Sequence, residues 1–496
     1  MPPLRIAMIA AECEPWAKTG GLGDVVDALA RALGHVPGAT AGDVEVFLPG
    51  YRSVPVPSDA VTARRTVRVP DPLSPDGLAE LTIVDIAANG YRLRLVDHPA
   101  AFDRDGMYGP PGGGDFPDNA WRYGLFCRAA LETLRTEPDR PVDILHLHDW
   151  HSGPAAIQRD AWLADDPILG RAAIVITLHN LAYHGWTGLD DLGQLGLVPG
   201  GGVLPAGADG VDLLREGIVR AEVANTVSPG FAREALTPAG SFGLADALAA
   251  KGDRFVGILN GLDTMVWDPA TDADLAAPFS AADLSGTAAC RADLLTRLGF
   301  DAGDEASAVL GMIGRLDPQK GFDLLHDAAP RLLAAGARIV VQGSGDPHLA
   351  AGLRALAAAN PTKVALIERF DRAMARRIYA GADFFLMPSR FEPCGTGQMI
   401  SLRYGTPPIV RRTGGLADSV IDELTHPGEG TGFSFDAATP DALAAACEAA
   451  MAMRAAGGAP WSALVGRGMA VDFDWARGSA PRYAALYERA LAIRRG

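Results

Sequence analysis

Short apolar runs that close on a polar, glycine-bearing turn and then pass into helical periodicity recur along the whole chain. This alternation constrains the fold more than any other feature. Arg5 to Ala10, Ala172 to Thr177, Ala221 to Val227, Ala308 to Ile313, Arg338 to Val341, Val364 to Ile367, Asp383 to Met387 and Pro408 to Val410 each read as a buried strand. Buried runs separated by helical spacing predict parallel strands joined by crossover helices, which is a doubly wound α/β sheet. At 496 residues the chain exceeds one ordinary domain, so two such domains are expected. The turn-rich stretch from Asn260-Gly261 to Asp268-Pro269 marks the change between them. The expected division is 1–257, 258–475 and an amphipathic tail helix, 476–496, packing back on the first domain.

The stretch from Asp383 to Asp418 carries the densest chemistry. An apolar strand ends at Pro388-Ser389, Glu392 follows between Phe391 and Pro393, and Cys394-Gly395-Thr396-Gly397 leads into a helix. A carboxylate next to the free N–H groups of a helix start suits chemistry on a phosphorylated or nucleotide-linked substrate. A second turn of this kind follows the first strand, where K-T-G-G-L-G-D (18–24) sets Lys18, Gly20, Gly21 and Asp24 before a helix. It is neither a dinucleotide fingerprint nor a Walker loop.

Two further strands end in polar tips: H-L-H-D-W-H (146–151) and L-H-N (178–180). Open α/β sheets place their sites at the C-terminal ends of strands. The histidines of 146–151 raise a metal site. Their order does not follow the metallo-hydrolase pattern and no other cluster completes a shell, so core histidines with Asp149 exposed at the tip are expected. The tips Lys18, Asp149 and His179 of the first domain should face Arg315, Lys320 and Glu392 of the second across a cleft.

A net charge of −16 argues against nucleic acid and anionic membrane as partners. Only four of the 44 basic residues are lysines, and two of them, Lys18 and Lys320, lie beside glycine in these turns. At a phosphate site ammonium and guanidinium are not interchangeable. Five scattered cysteines without a C-x-x-C pair indicate neither disulfides nor zinc. No signal peptide and no apolar run of membrane-spanning length is evident, so a cytoplasmic location is expected.

Taken together, K-T-G-G-L-G-D (18–24), H-D-W-H (148–151), T-L-H-N-L-A-Y-H-G (177–185) and T-V-S-P (226–229) resemble the bacterial glycogen synthase family, starch-synthase-type retaining glucosyltransferases of GT-B fold. The likeness continues through I-L-N-G-L-D-T-M-V-W-D-P (258–269), R-L-D-P-Q-K-G (315–321), 383–397 and R-R-T-G-G-L-A-D (411–418), nearly the whole chain. It implies two Rossmann-like domains facing across a cleft, and transfer of glucose from ADP-glucose to the non-reducing-end 4-hydroxyl of an α-1,4-glucan, with retention and without a metal or other cofactor.

The resemblance also implies roles. Lys18, with Gly20, Gly21 and Asp24, lies at the donor phosphates, and Arg315 and Lys320 neutralise the diphosphate. Glu392 sits beside the donor sugar, His179 touches that sugar, Asp149 lies near the reacting centre, and Asn260 is on the donor side. Cys394, Gly395, Thr396 and Gly397 contribute to the donor phosphate turn, and Glu12, Trp150 and Tyr183 lie on the acceptor side. The chain departs from the family at C-G-T-G-Q, where C-G-L-T-Q is usual, at Glu216, and at Thr287 of S-G-T. A non-catalytic glucan-binding relative is the competing class; glucan binding without turnover would distinguish it. A phosphorylase would need a pyridoxal-binding lysine late in the chain, and Lys363, the last lysine, lies in no such context.

Overall fold

A computed structural model describes residues 3–34, 43–111, 113–188, 209–303 and 306–496, together with 191, 193 and 195. The chain divides into two compact units. The first comprises Met1–Val227, Ala232–Gly261 and Trp475–Gly496; the second comprises Ser228–Phe231 and Leu262–Asp474.

The first unit holds strands β1 (Arg5–Ile9), β2 (Asp43–Pro49), β3 (Val61–Pro70), β4 (Leu78–Ala87), β5 (Arg92–Asp97), β6 (Ile144–His148), β7 (Ala173–Leu178), β8 (Trp186–Gly188), β9 (Gly210–Asp212), β10 (Val223–Thr226) and β11 (Phe255–Gly257). Nine of them form one sheet in the order β11-β10-β7-β6-β1-β2-β5-β4-β3, and β8 and β9 make a separate antiparallel pair. The sheet is parallel from β11 to β5. Its far edge is not, because β4 runs antiparallel to both β5 and β3. This edge differs from the all-parallel expectation. Strand β3, V-T-A-R-R-T-V-R-V-P, is mostly exposed, so no buried apolar run announces it. Chain order reverses around β1, whose neighbours are β6 and β2, so the tips of β1 and β6 meet at the switch point of the sheet. The helix Ser479–Arg495 belongs to this unit and packs on β7, β10 and the helix Gly21–Leu33.

The second unit is a six-stranded parallel sheet. Its strands are β12 (Ala308–Ile313), β13 (Ala337–Gln342), β14 (Val364–Ile367), β15 (Phe384–Met387), β16 (Pro408–Arg411) and β17 (Phe433–Phe435), in the order β14-β13-β12-β15-β16-β17. Both faces are covered, as the apolar runs require. Leu310, Met312, Ile339 and Val341 pack with Phe322, Leu325 and Leu443 on one side. Val309 and Val340 pack with Leu294 and Ile378 on the other. The switch point lies between β12 and β15. Among the described residues no helix is long and apolar enough to cross a membrane.

Candidate active site

In the first unit the candidate residues gather at the tips of β1, β6 and β7. Glu12, just past β1, is 4% exposed. Its carboxylate accepts from the backbone N–H of Thr19 (2.8 Å) and Gly20 (3.0 Å), from Thr19 Oγ1 (2.7 Å) and from Tyr108 OH (2.6 Å). Two amides expected to be free for phosphate are thus occupied by the protein's own carboxylate. Glu12 accordingly lies beneath the K-T-G-G turn with its carboxylate taken up by the turn itself, in place of a group presented to an acceptor. The helix Gly21–Leu33 opens immediately beyond this turn. Lys18 is exposed and pairs with Asp24 at 2.5 Å; burial pushes the Asp24 carboxyl up while the ammonium opposes it.

Asp149 follows β6 with φ +54°, a left-handed conformation that is costly for a residue with a side chain. The sequence places it exposed at the strand tip, yet it is 7% exposed. The positive φ turns the carboxylate inward, where Oδ1 accepts from the N–H of His179 at 2.7 Å and of Asn180 at 3.4 Å. Burial raises its carboxyl to about 7, and those two N–H groups limit the rise. His179, past β7, is partly exposed, and its Nε2 lies 3.0 Å from His148 Nδ1. Burial pushes the His179 imidazole down to about 3, so it is neutral. His146 and His148 are core residues, each 0% exposed. Among the described residues no group of three His, Cys, Asp or Glu could hold a metal ion.

Trp150 also departs from its expected role. It is buried, stacked on His151 at 4.0 Å and edge-on to Tyr123 at 5.2 Å. Gly185 lies so close that a Cβ there would come within 2.2 Å of the indole. The ring therefore supports the loop between His151, Tyr123 and Gly185. Tyr183, by contrast, is exposed. Asn260 is 6% exposed, and its side-chain carbonyl has no partner among the described residues.

In the second unit the tips of β12, β15 and β16 converge. Asp317 caps the turn Pro318–Lys320 by accepting from Gln319 N–H at 2.8 Å. Gln319 in turn donates to Phe391 O at 3.0 Å and accepts from Arg390 N–H at 2.7 Å, which locks the R-L-D-P-Q-K-G turn to the segment after β15. Lys320 then reaches Glu392 Oε2 at 2.6 Å, and Ser389 Oγ donates to the same oxygen at 3.0 Å. Glu392 is 5% exposed, so this ion pair is largely desolvated. Arg315 is exposed, and its guanidinium has no hydrogen bond or ion pair among the described residues.

Past Glu392, Cys394 is buried and the helix Gly397–Arg403 runs only seven residues. Gln398 holds the turn from within, its amide donating to Cys394 O (3.0 Å), Gly395 O (3.1 Å) and Ser419 Oγ (3.0 Å). The sequence reading took Gln398 only as the start of a helix. Tyr108 and His148 were not legible as partners of Glu12 and His179, which lie 96 and 31 positions away, nor was Ser389, whose bond to nearby Glu392 forms only in the folded turn. Thr396 makes no side-chain cap, and at Gly397 a Cβ would come within 2.8 Å of the Phe385 ring. The glycine at this departure from the family pattern thus matches a phenylalanine packed beneath it. Phe370, also missed, is 83% exposed in the loop after β14, at the same C-terminal end of the parallel strands as Arg315.

The comparisons fit this geometry. Residues 5–250 match the starch synthase catalytic domain, and residues 307–453 match glycosyl transferases group 1. A glycogen synthase of Syntrophotalea carbinolica is 40% identical over 500 residues, 99% of each chain. One of Anaeromyxobacter dehalogenans is 42% identical over 497 residues, covering 99% of this chain and all of the relative. The chain belongs to the glycogen synthase family. The catalytic domain of starch synthase IV from Arabidopsis thaliana, solved with ADP and acarbose, superposes with a TM-score of 0.86 at 34% identity. The match covers 99% of this chain and 100% of that one. The two Rossmann-like sheets are those of the GT-B fold of this family, in a retaining glucosyltransferase.

Proposed function

We propose that the protein transfers glucose from ADP-glucose to the 4-hydroxyl at the non-reducing end of an α-1,4-glucan, with retention of configuration, as a glycogen synthase. The observation that carries this reading is the largely desolvated Lys320–Glu392 pair between the tips of β12 and β15, with the exposed Arg315 on the same segment after β12. Glucosyl transfer leaves charge on a diphosphate as the sugar becomes oxocarbenium-like. Fixed cations aimed at that charge stabilise the transition state, each by about 3 kcal/mol or more. Arg315 and Lys320 supply that charge in this reading, and no metal is invoked.

Glu392 directs Lys320. Both of its hydrogen bonds, from Lys320 and Ser389, fall on Oε2, an arrangement that orients the ammonium and draws down the nucleophilicity of that oxygen. We therefore assign Glu392 to electrostatic support of the donor sugar. Retention then follows from attack on the face the diphosphate leaves, with the departing phosphate taking the acceptor's proton. His179 and Asp149 contact or border the sugar, Lys18 and Asn260 are assigned to the donor, and Tyr183 to the acceptor. Phe370 offers an exposed aromatic face for the nucleotide base. A cytoplasmic location suits five buried cysteines that form no disulfide among the described residues.

The test is incorporation of glucose into glycogen from ADP-glucose and from UDP-glucose, without added metal. Incorporation from ADP-glucose supports the reading. Glycogen binding without incorporation from either donor overturns it.

A further inference from the structure

We propose that His148 is a positioning residue that holds His179 in the tautomer carrying its proton on Nδ1. The order of protons is set one residue pair deeper. Thr177 Oγ1 donates to Asn225 Oδ1 at 2.8 Å, so it accepts from His146 Nε2 at 2.7 Å. His146 Nδ1 then accepts from Tyr487 OH at 2.9 Å. Both nitrogens of His146 are committed, and its ring, 4.1 Å from that of His148, offers no partner there.

His148 is 0% exposed, and its Nε2 has no partner among the described residues. A buried N–H without an acceptor is rarer and costlier than a buried lone pair without a donor. The proton of His148 therefore sits on Nδ1, and it is donated to His179 Nε2 at 3.0 Å. Burial keeps both rings neutral, and a neutral imidazole carries one proton. His179 accepts at Nε2, so its own proton is on Nδ1. That nitrogen has no hydrogen-bond partner among the described residues, and the residue is partly exposed. His179 is thus set as an N–H donor toward whatever oxygen approaches the tip of β7. Asp149 holds the backbone N–H of the same residue, so adjacent positions at the end of β6 fix both its backbone and its ring. The kinetic consequence rests on the glucosyl-transfer reading above, whereas the tautomer does not.

Long-range proton–nitrogen spectra of the imidazoles test this, with His179 assigned by its loss in His179→Gln. The expected spectrum shows His179 Nδ1 protonated and Nε2 bare; the reverse overturns the proposal. His148→Leu removes the donor and should lower kcat about tenfold to a hundredfold while both KM values stay within about twofold. His148→Asn, whose amide N–H reaches the place of Nδ1, should restore most of kcat and keep the tautomer. Unchanged kcat and an unchanged His179 spectrum in His148→Leu would also overturn it. If the leucine variant does not fold, the spectra of the wild type and the asparagine variant decide. If the wild type transfers no glucose, the functional reading fails and the spectra still judge the tautomer.

Discussion

Replacing Asp149 by asparagine should stabilise the protein, and by an amount that grows with pH. Asp149 titrates near 7 in the fold, against 3.8 for an ordinary aspartate, because it is buried. Between those values the folded chain holds a proton that the unfolded chain has lost. The wild type therefore loses stability as pH rises from about 4 to 7, and the penalty stays constant above that. Asparagine does not titrate, and its carbonyl still accepts from His179 N–H. At about 1.4 kcal/mol per unit, the advantage of Asp149→Asn is roughly 2 kcal/mol at pH 5.5 and roughly 4 kcal/mol at pH 8. The two N–H groups that favour the charged carboxylate are already contained in the value of about 7, so they add no separate correction. Urea unfolding of both proteins at pH 5.5, 7 and 8, followed by tryptophan fluorescence, measures the difference. A stability gap that does not change with pH would refute the burial argument. Asp149→Asn should also lose most glucosyl transfer, marking Asp149 as a residue kept at a cost in stability.

Two further outcomes follow from close packing and a third from an exposed ring. Gly321 has φ +76°, and a Cβ there would lie 2.3 Å from Pro388 O. Gly321→Ala should cost at least about 2 kcal/mol of stability by denaturant unfolding and should displace Lys320. Gly397→Thr, toward the usual family residue, should cost about 1–3 kcal/mol because Phe385 fills that space. A compensating Phe385→Leu should recover part of that loss in the same assay. Phe370→Ala should raise KM for ADP-glucose about fivefold or more with kcat little changed, since stacking on a base contributes about 1–3 kcal/mol; an unchanged KM would remove Phe370 from the donor site.

Features that a local pattern can carry were legible in the sequence. The β12 run Ala308–Ile313 and the β14 run Val364–Ile367 stand where the apolar residues put them. Strand β3 was hidden because its exposed, arginine-rich alternation resembles a loop, and β17 because three residues, Phe433–Phe435, are too few to read. At the site, residue types and positions were visible and their hydrogen bonds were not. Nothing local to Glu12 reveals Tyr108, 96 positions away, as its partner. Nothing local to Asp149 reveals that a positive φ folds its carboxylate inward onto His179. Gln398 looked like the start of a helix because carbonyls on its own turn, and Ser419 beyond it, become its partners only once the chain has folded.

In the proposed reaction Lys320, oriented by Glu392, and the exposed Arg315 drive departure of a nucleoside diphosphate from glucose. Its most direct test is glucose incorporation into glycogen from ADP-glucose by the wild type, Lys320→Ala, Arg315→Ala and Glu392→Gln. The account predicts wild-type transfer and a fall in kcat/KM of about a hundredfold or more for each variant, as expected for losing about 3 kcal/mol of transition-state stabilisation. Transfer by Lys320→Ala or Arg315→Ala within a few-fold of wild type would contradict it.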